Sequence, residues 1–203
     1  MSVVALELLA DGPEDAQARL LLAHGAGASM RSSFMQRVAE CVAARGVRVV
    51  RFEFPYMRER NKRPDPPALL LATWREVIER MGGGPGVYIG GKSMGGRIAS
   101  MLADEVHARG LVCLGYPFHP AGKPEKTRVA HLRELHTPAL FVQGTRDSLG
   151  SREDVAGYTL SSAIRIEWIE DGDHSLEPRK RSGHTAAQAM DAAIDAVARF
   201  VLG

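Results

Sequence analysis

Short apolar runs alternate along the chain with segments whose apolar positions recur every three or four residues. ARLLLAHG (18–25), VRVVRFEF (47–54), GVYIG (86–90), LVCLG (111–115), PALFVQG (138–144) and IRIEWIE (164–170) read as buried strands. Between them FMQRVAECVAARG (34–46) reads as a helix stopped by Gly46, and PALLLATWREVIERM (67–81) as one opened by Pro67. MGGRIASMLADEVHARG predicts a helix with Ile98, Met101, Leu102 and Val106 on one face, and VAHLREL a short helical stretch. The closing segment TAAQAMDAAIDAVARFVL carries Met190, Ile194, Val197 and Val201 along one stripe. VVALELL (3–9) is expected at the sheet edge, turning around Asp11-Gly12-Pro13.

This alternation predicts an α/β fold, with a mostly parallel central sheet covered by helices on both faces, in one domain over 1–203. In such sheets reactive groups gather at the carboxyl ends of the strands. That rule selects His24-Gly25, Glu53 to Tyr56, Gly91 to Ser93, Tyr116-Pro117, Gly144 to Asp147 and the turn after Glu170.

Composition adds boundaries. With 45% hydrophobic and 25% charged residues the chain fits a soluble globular class, and a net charge of +2 gives no reason to expect a nucleic-acid partner. Cys41 and Cys113 are too few for a disulfide framework and fit a reducing compartment. MSVVALELLADGPED lacks a basic segment with a cleavage site, and no apolar run approaches bilayer length. A cytoplasmic location without a membrane partner is the expectation. The histidines and carboxylates lack metal-ligand spacing, so neither metal nor cofactor is expected. Nothing in the sequence indicates an oligomeric state.

One stretch supports two chemistries. GVYIGGKS (86–93) fits the phosphate-loop pattern GxxxxGK(S/T), while GGKSMGGR contains GxSxG, a nucleophile elbow. A phosphate loop needs its four variable residues as loop, yet Val87, Tyr88 and Ile89 are strand formers. No strand precedes Gly86, and the next strand ends in glycine rather than a metal-binding Asp. The elbow needs small residues two before and two after the serine, and Gly91 and Gly95 stand there. A strand before and an amphipathic helix after complete its context. The bland alternative is a glycine-rich turn with an incidental serine.

A serine nucleophile needs a base and an orienting carboxylate. Asp147, in GTRD, and His174, in EDGDHSL, each follow a strand, and the order Ser93, Asp147, His174 is that of α/β-hydrolases. Asp171 and Asp173 read as turn residues, and His184 is a reserve base at the start of the last helix. The oxyanion donors are expected to be the N–H groups of Met94 and Ala26, with Gly27 second to Ala26. His24 then reads as an architectural residue of the HGAG loop. Gly27, Tyr56, Tyr116 and Phe118 are possible pocket residues, the aromatics equally readable as core or rim packing. Gly91, Lys92 and Gly95 would support the elbow; Lys92 is either a cation beside the nucleophile, lowering its pKa or receiving an anionic substrate, or is paired to Glu53 behind the elbow, the favoured reading. The basic runs RERNKR (58–63) and KPEKTR (123–128) are solvated charge or a preference for an anionic substrate or partner.

With these motifs the chain resembles the α/β-hydrolase superfamily over nearly its whole length. HGAGA, FEFPYM, GGKSMGGR, GYPFHP, QGTRD and DGDHSL together look like one small subgroup, bacterial predicted hydrolases related to dienelactone hydrolases. Its eukaryotic relatives include a testis-expressed protein and a subunit of the non-specific-lethal chromatin acetyltransferase complex. The resemblance implies an α/β-hydrolase core of about seven strands and a Ser93–Asp147–His174 triad. Dienelactone hydrolases carry a cysteine nucleophile where this chain has Ser93, so lactone cleavage does not transfer. About two dozen residues between Gly115 and the next strand leave little room for a lid. The expected activity is hydrolysis of a small-molecule ester or thioester through an acyl-enzyme. The alternative is a hydrolase-fold interaction module with weak or no catalysis.

Overall fold

The computed structural model describes residues 6–59, 61 and 63–203. Seven strands, β1 (Leu8–Asp11), β2 (Arg19–Ala23), β3 (Arg48–Phe52), β4 (Tyr88–Lys92), β5 (Gly110–Leu114), β6 (Ala139–Gly144) and β7 (Ile164–Ile169), form one sheet. Their order is β1-β3-β2-β4-β5-β6-β7, and every pair is parallel except β1 with β3. The antiparallel edge strand β1 sits where edge pairing is expected, starting later than VVALELL; residues 3–5 of that run lie outside the described residues. Likewise Arg60 and Lys62 of RERNKR lie outside them.

Among the described residues six α-helices accompany the sheet: α1 (Ser33–Ala43), α2 (Pro55–Arg58), α3 (Pro67–Arg80), α4 (Met94–Ser100), α5 (Arg152–Ala156) and α6 (Ala186–Leu202). Because alternate strand residues point to opposite faces, the core divides in two. Met35, Val38 and Val42 of α1 join Ile194, Val197 and Val201 of α6 over Leu20, Leu22, Val112 and Val142. On the other face Leu70, Trp74 and Ile78 of α3 and Ile98 of α4 cover Leu21, Val50, Ile89 and Phe141. The start of α6 is fixed by a capping box, in which Gln188 N–H donates to Thr185 Oγ1 at 3.1 Å and Thr185 N–H to Gln188 Oε1 at 2.9 Å. The absence of a helix between β5 and β6, apart from one 3₁₀ turn at Ala130–Arg133, keeps the region above the strand ends open.

The helix expected over MGGRIASMLADEVHARG is cut short. α4 stops at Ser100, turns follow, and Met101 is exposed rather than on a buried stripe. Asp104 draws the segment out of helical register: its carboxylate accepts from Thr137 N–H at 2.7 Å and His136 N–H at 3.0 Å. Ser100 Oγ donates back to the Arg97 carbonyl at 2.7 Å, a local bond that competes with helix continuation. Among the described residues no helix is long and apolar enough to cross a membrane.

Candidate functional site

The chain leaves β2 toward β3 on one side, while β4 lies on the other. Loops leaving the carboxyl ends of β2 and β4 therefore part in opposite directions, and a crevice opens between them. Ser93 stands at the end of β4 and caps α4, with φ 49° and ψ −113°, a backbone region that a side chain ordinarily avoids. Neighbouring glycines make this turn possible. A Cβ on Gly91 would lie 2.1 Å from the Ala23 carbonyl oxygen, and one on Gly95 2.4 Å from the same atom. Tyr88–Lys92 is strand, with Gly90 and Gly91 inside it, so no ring of loop N–H groups exists to cradle a phosphate.

His174 follows β7 in a turn held by two carboxylates. Asp173 Oδ1 accepts from Ser175 N–H at 2.8 Å and Glu177 N–H at 3.0 Å. Asp171 Oδ2 accepts from Arg179 N–H at 2.8 Å, and its side chain is covered by the Arg146 and Arg179 guanidiniums. Both are turn-forming residues. The Arg179 contact holds the Asp171 carboxyl down at about 2.

These elements bring Ser93, His174 and Asp147 into one hydrogen-bonded chain. Ser93 Oγ is 2.9 Å from His174 Nε2, and His174 Nδ1 is 2.8 Å from Asp147 Oδ2. A carboxylate can only accept, so Nδ1 carries the proton and Nε2 is left to accept from the serine hydroxyl. Asp147 is fully buried, and its charge is met by three donors: His174, Leu149 N–H at 2.8 Å and Gln143 Nε2 at 2.8 Å. Such an arrangement can move a proton from a hydroxyl while stabilising the imidazolium that forms.

Gln143 is the polar residue that sequence reasoning passed over. Fully buried at the end of β6, it accepts from Tyr116 N–H at 2.7 Å and donates to Asp147 and the Gly150 carbonyl. It joins the loops after β5 and β6 to the carboxylate. Its signal in the sequence was an amide closing an otherwise apolar strand, four residues before the aspartate.

The HGAG loop closes over Ser93. A Cβ on Gly25 would be 3.6 Å from Ser93 Cβ, and Ala26, Ser93 and Met94 line one cavity of about 410 Å³. His24 fixes this loop: Phe54 N–H donates to its Nε2 at 3.1 Å, and its Nδ1–H meets the Gly25 carbonyl at 2.8 Å. Burial lowers its pKa, which favours the neutral ring that this pairing requires.

Three expectations need correction. Tyr56, Tyr116 and Phe118 are core residues, each at most 1% exposed, and none lines the cavity. Tyr116 stacks on Phe141 with centroids 4.9 Å apart and Phe118 on Tyr158 at 5.8 Å, because the loop after β5 folds its rings under itself. Pro117, Pro120, Ala121 and Leu149 form the wall instead. Gly27 is exposed with φ 75° and does not line the cavity either. Lys92 does not pair with Glu53, whose Oε1 accepts from Met30 N–H at 3.1 Å. The Lys92 ammonium donates to the His174 carbonyl and lies 5.5 Å from the Phe34 ring centroid. Burial pulls its pKa down to about 8, opposed by the charges of Asp147 and Asp173. His184 is exposed beside the start of α6 and takes no part. A second hollow, of about 500 Å³ by the end of α6, holds the already paired Arg45 and Asp195 and no nucleophile.

Comparison with known proteins places the fold. An alpha-beta serine hydrolase homologue from Coxiella burnetii has a TM-score of 0.72 at 18% identity, covering 96% of this chain and 91% of that one. An α/β serine hydrolase without lid from Xanthomonas campestris has a TM-score of 0.72 at 19% identity, covering 98% and 90%. A dienelactone hydrolase from Anabaena variabilis has a TM-score of 0.71 at 21% identity, covering 99% and 93%. At such identities the likeness is one of fold. Residues 16–202 match the family described as alpha/beta hydrolase domain, and the chain belongs to that family.

Proposed function

We propose that the chain is a serine hydrolase, an esterase or thioesterase of small acyl substrates acting as one domain in the cytoplasm. Ser93 Oγ attacks the carbonyl carbon while His174 Nε2 takes its proton, and Asp147 holds the imidazole in place. The N–H groups of Met94 and Ala26 receive the oxyanion. The C–O or C–S bond then breaks, and His174 returns the proton to the leaving group. Water, deprotonated by His174, attacks the acyl-enzyme, releasing the acid and restoring the serine hydroxyl.

The observation that carries this reading is the Ser93–His174–Asp147 hydrogen-bond chain opening onto a cavity that Ala26 and Met94 also line. Within the family we place the chain beside the dienelactone-hydrolase-like bacterial proteins, on its HGAGA, GYPFHP and DGDHSL motifs. The test is labelling by a fluorophosphonate probe and turnover of p-nitrophenyl esters of increasing acyl length, in wild type and Ser93→Ala. Both activities are expected in wild type and lost in the variant. A wild type that neither labels nor turns over any ester overturns the proposal. A stoichiometric partner retained by Ser93→Ala would then favour an interaction module.

A further inference from the structure

Arg97 and Arg128 both line the cavity at Ser93. Arg97 projects from the first turn of α4, its N–H bonded to the Ser93 carbonyl at 3.0 Å. Arg128 closes the KPEKTR run on a fixed backbone: its N–H donates to the Phe118 carbonyl at 2.7 Å, and its carbonyl accepts from Tyr116 Oη at 3.0 Å. Among the described residues neither side chain forms an ion pair with a carboxylate, whereas Arg75, Arg80 and Arg179 all do. The Arg97 guanidinium donates to Met101 Sδ at 3.8 Å. Asp65 also lines the cavity, but its Oδ2 accepts from Tyr56 N–H at 2.9 Å and it pairs with neither arginine.

Burial and the neighbouring charge of Arg128 both disfavour the charged form of Arg97. Two like charges lining one cavity with a reactive hydroxyl repel each other, and an anion between them would relieve that repulsion. Guanidiniums also match the planar oxygens of carboxylate and the faces of phosphate.

We propose that the substrate is an ester or thioester bearing a carboxylate or phosphate, which Arg97 and Arg128 hold while its carbonyl sits at Ser93. This rests on the serine-hydrolase reading. It also gives a role to Arg128, which ends a basic run otherwise attributable to solvated charge.

The test compares kcat/KM within pairs matched in chain length or leaving group: mono-p-nitrophenyl glutarate against p-nitrophenyl pentanoate, and 3-carboxy-4-nitrophenyl butyrate against p-nitrophenyl butyrate. Wild type is expected to prefer the anionic member of at least one pair by about tenfold or more at low salt, and less as salt rises. Arg97→Met and Arg128→Met should each lower that ratio about tenfold, and Arg97→Lys and Arg128→Lys should keep part of it. The Lys variants decide the matter if a Met variant does not fold. Equal rates within both pairs, with ratios unmoved by the substitutions, would overturn the proposal. A thermal-shift titration of Ser93→Ala protein with glutarate and with inorganic phosphate reads the arginines without turnover and separates the two anions. If no ester is hydrolysed, the hydrolase reading falls. The anion site then stands on a shift abolished by Arg128→Met, and is overturned by the absence of a shift.

Discussion

The Lys92 ammonium donates to the backbone carbonyl of His174, so the residue before Ser93 grips the loop that carries its hydrogen-bond partner. Gly115 leaves the room for this contact: a Cβ there would lie 2.8 Å from both Lys92 Nζ and the His174 oxygen.

Removing that grip should separate a positioning role from a purely structural one. Lys92→Met is expected to fold and to lose about tenfold in kcat, with KM little changed, because a slightly displaced imidazole is costly in the transition state. Stability against pH supplies the second readout. Lys92 titrates at about 8 in the fold and near 10.4 in an unfolded chain, so between these values the unfolded state binds more protons. Stability of wild type relative to Lys92→Met should therefore rise as pH goes from about 8 to about 10. A flat difference in melting temperature over that window would remove the buried-cation account.

Gln143→Leu should cost about 3 kcal/mol in denaturant unfolding, since it strands Tyr116 N–H and weakens the set of donors around Asp147. Gln143→Glu should lower activity more than Gln143→Leu, because a second carboxylate faces the buried Asp147 charge. Equal activity of both variants and wild type would show that the amide does not position the carboxylate.

Ser93→Gly and Ser93→Ala should both be inactive, yet the glycine variant is expected to be more stable than the alanine variant by about 1 kcal/mol. The φ of 49° at this position strains any residue with a Cβ. Urea unfolding of the two variants checks it, and equal midpoints would mean that the turn stores no strain.

Asp171→Asn tests the turn that presents His174. The carboxyl is held at about 2 by Arg179, below its unfolded value, so its contribution is present above about pH 4 and is lost as pH falls toward 2. The stability gap between wild type and Asp171→Asn should be constant from pH 5 to 8 and close in acid. A gap at pH 2.5 as large as that at pH 7 would contradict the pairing.

The sheet was legible because its apolar runs are buried on both faces, and the elbow because only small residues fit at Gly91 and Gly95. Other features depended on distant partners. The end of α4 is set by Asp104 reaching the backbone of His136 and Thr137, a contact about thirty residues away that helical periodicity does not encode. Tyr116 and Phe118 stand just beyond a strand end, as pocket residues often do, and only the path of the following loop turns their rings inward. Glu53 follows β3, which β2 separates from the β4 of Lys92, and its carboxylate is already engaged by Met30 N–H; a carbonyl from β7's loop takes its place.

Ser93 and His174 are separated by 81 positions in sequence, and Asp147 and His174 by 27. Their meeting requires β4, β5, β6 and β7 to have paired in register through successive crossovers, the slow kind of contact to form. Acquisition of fluorophosphonate reactivity during refolding would thus time the docking of the last strand, and a chain stalled before that step would display secondary structure while remaining chemically silent.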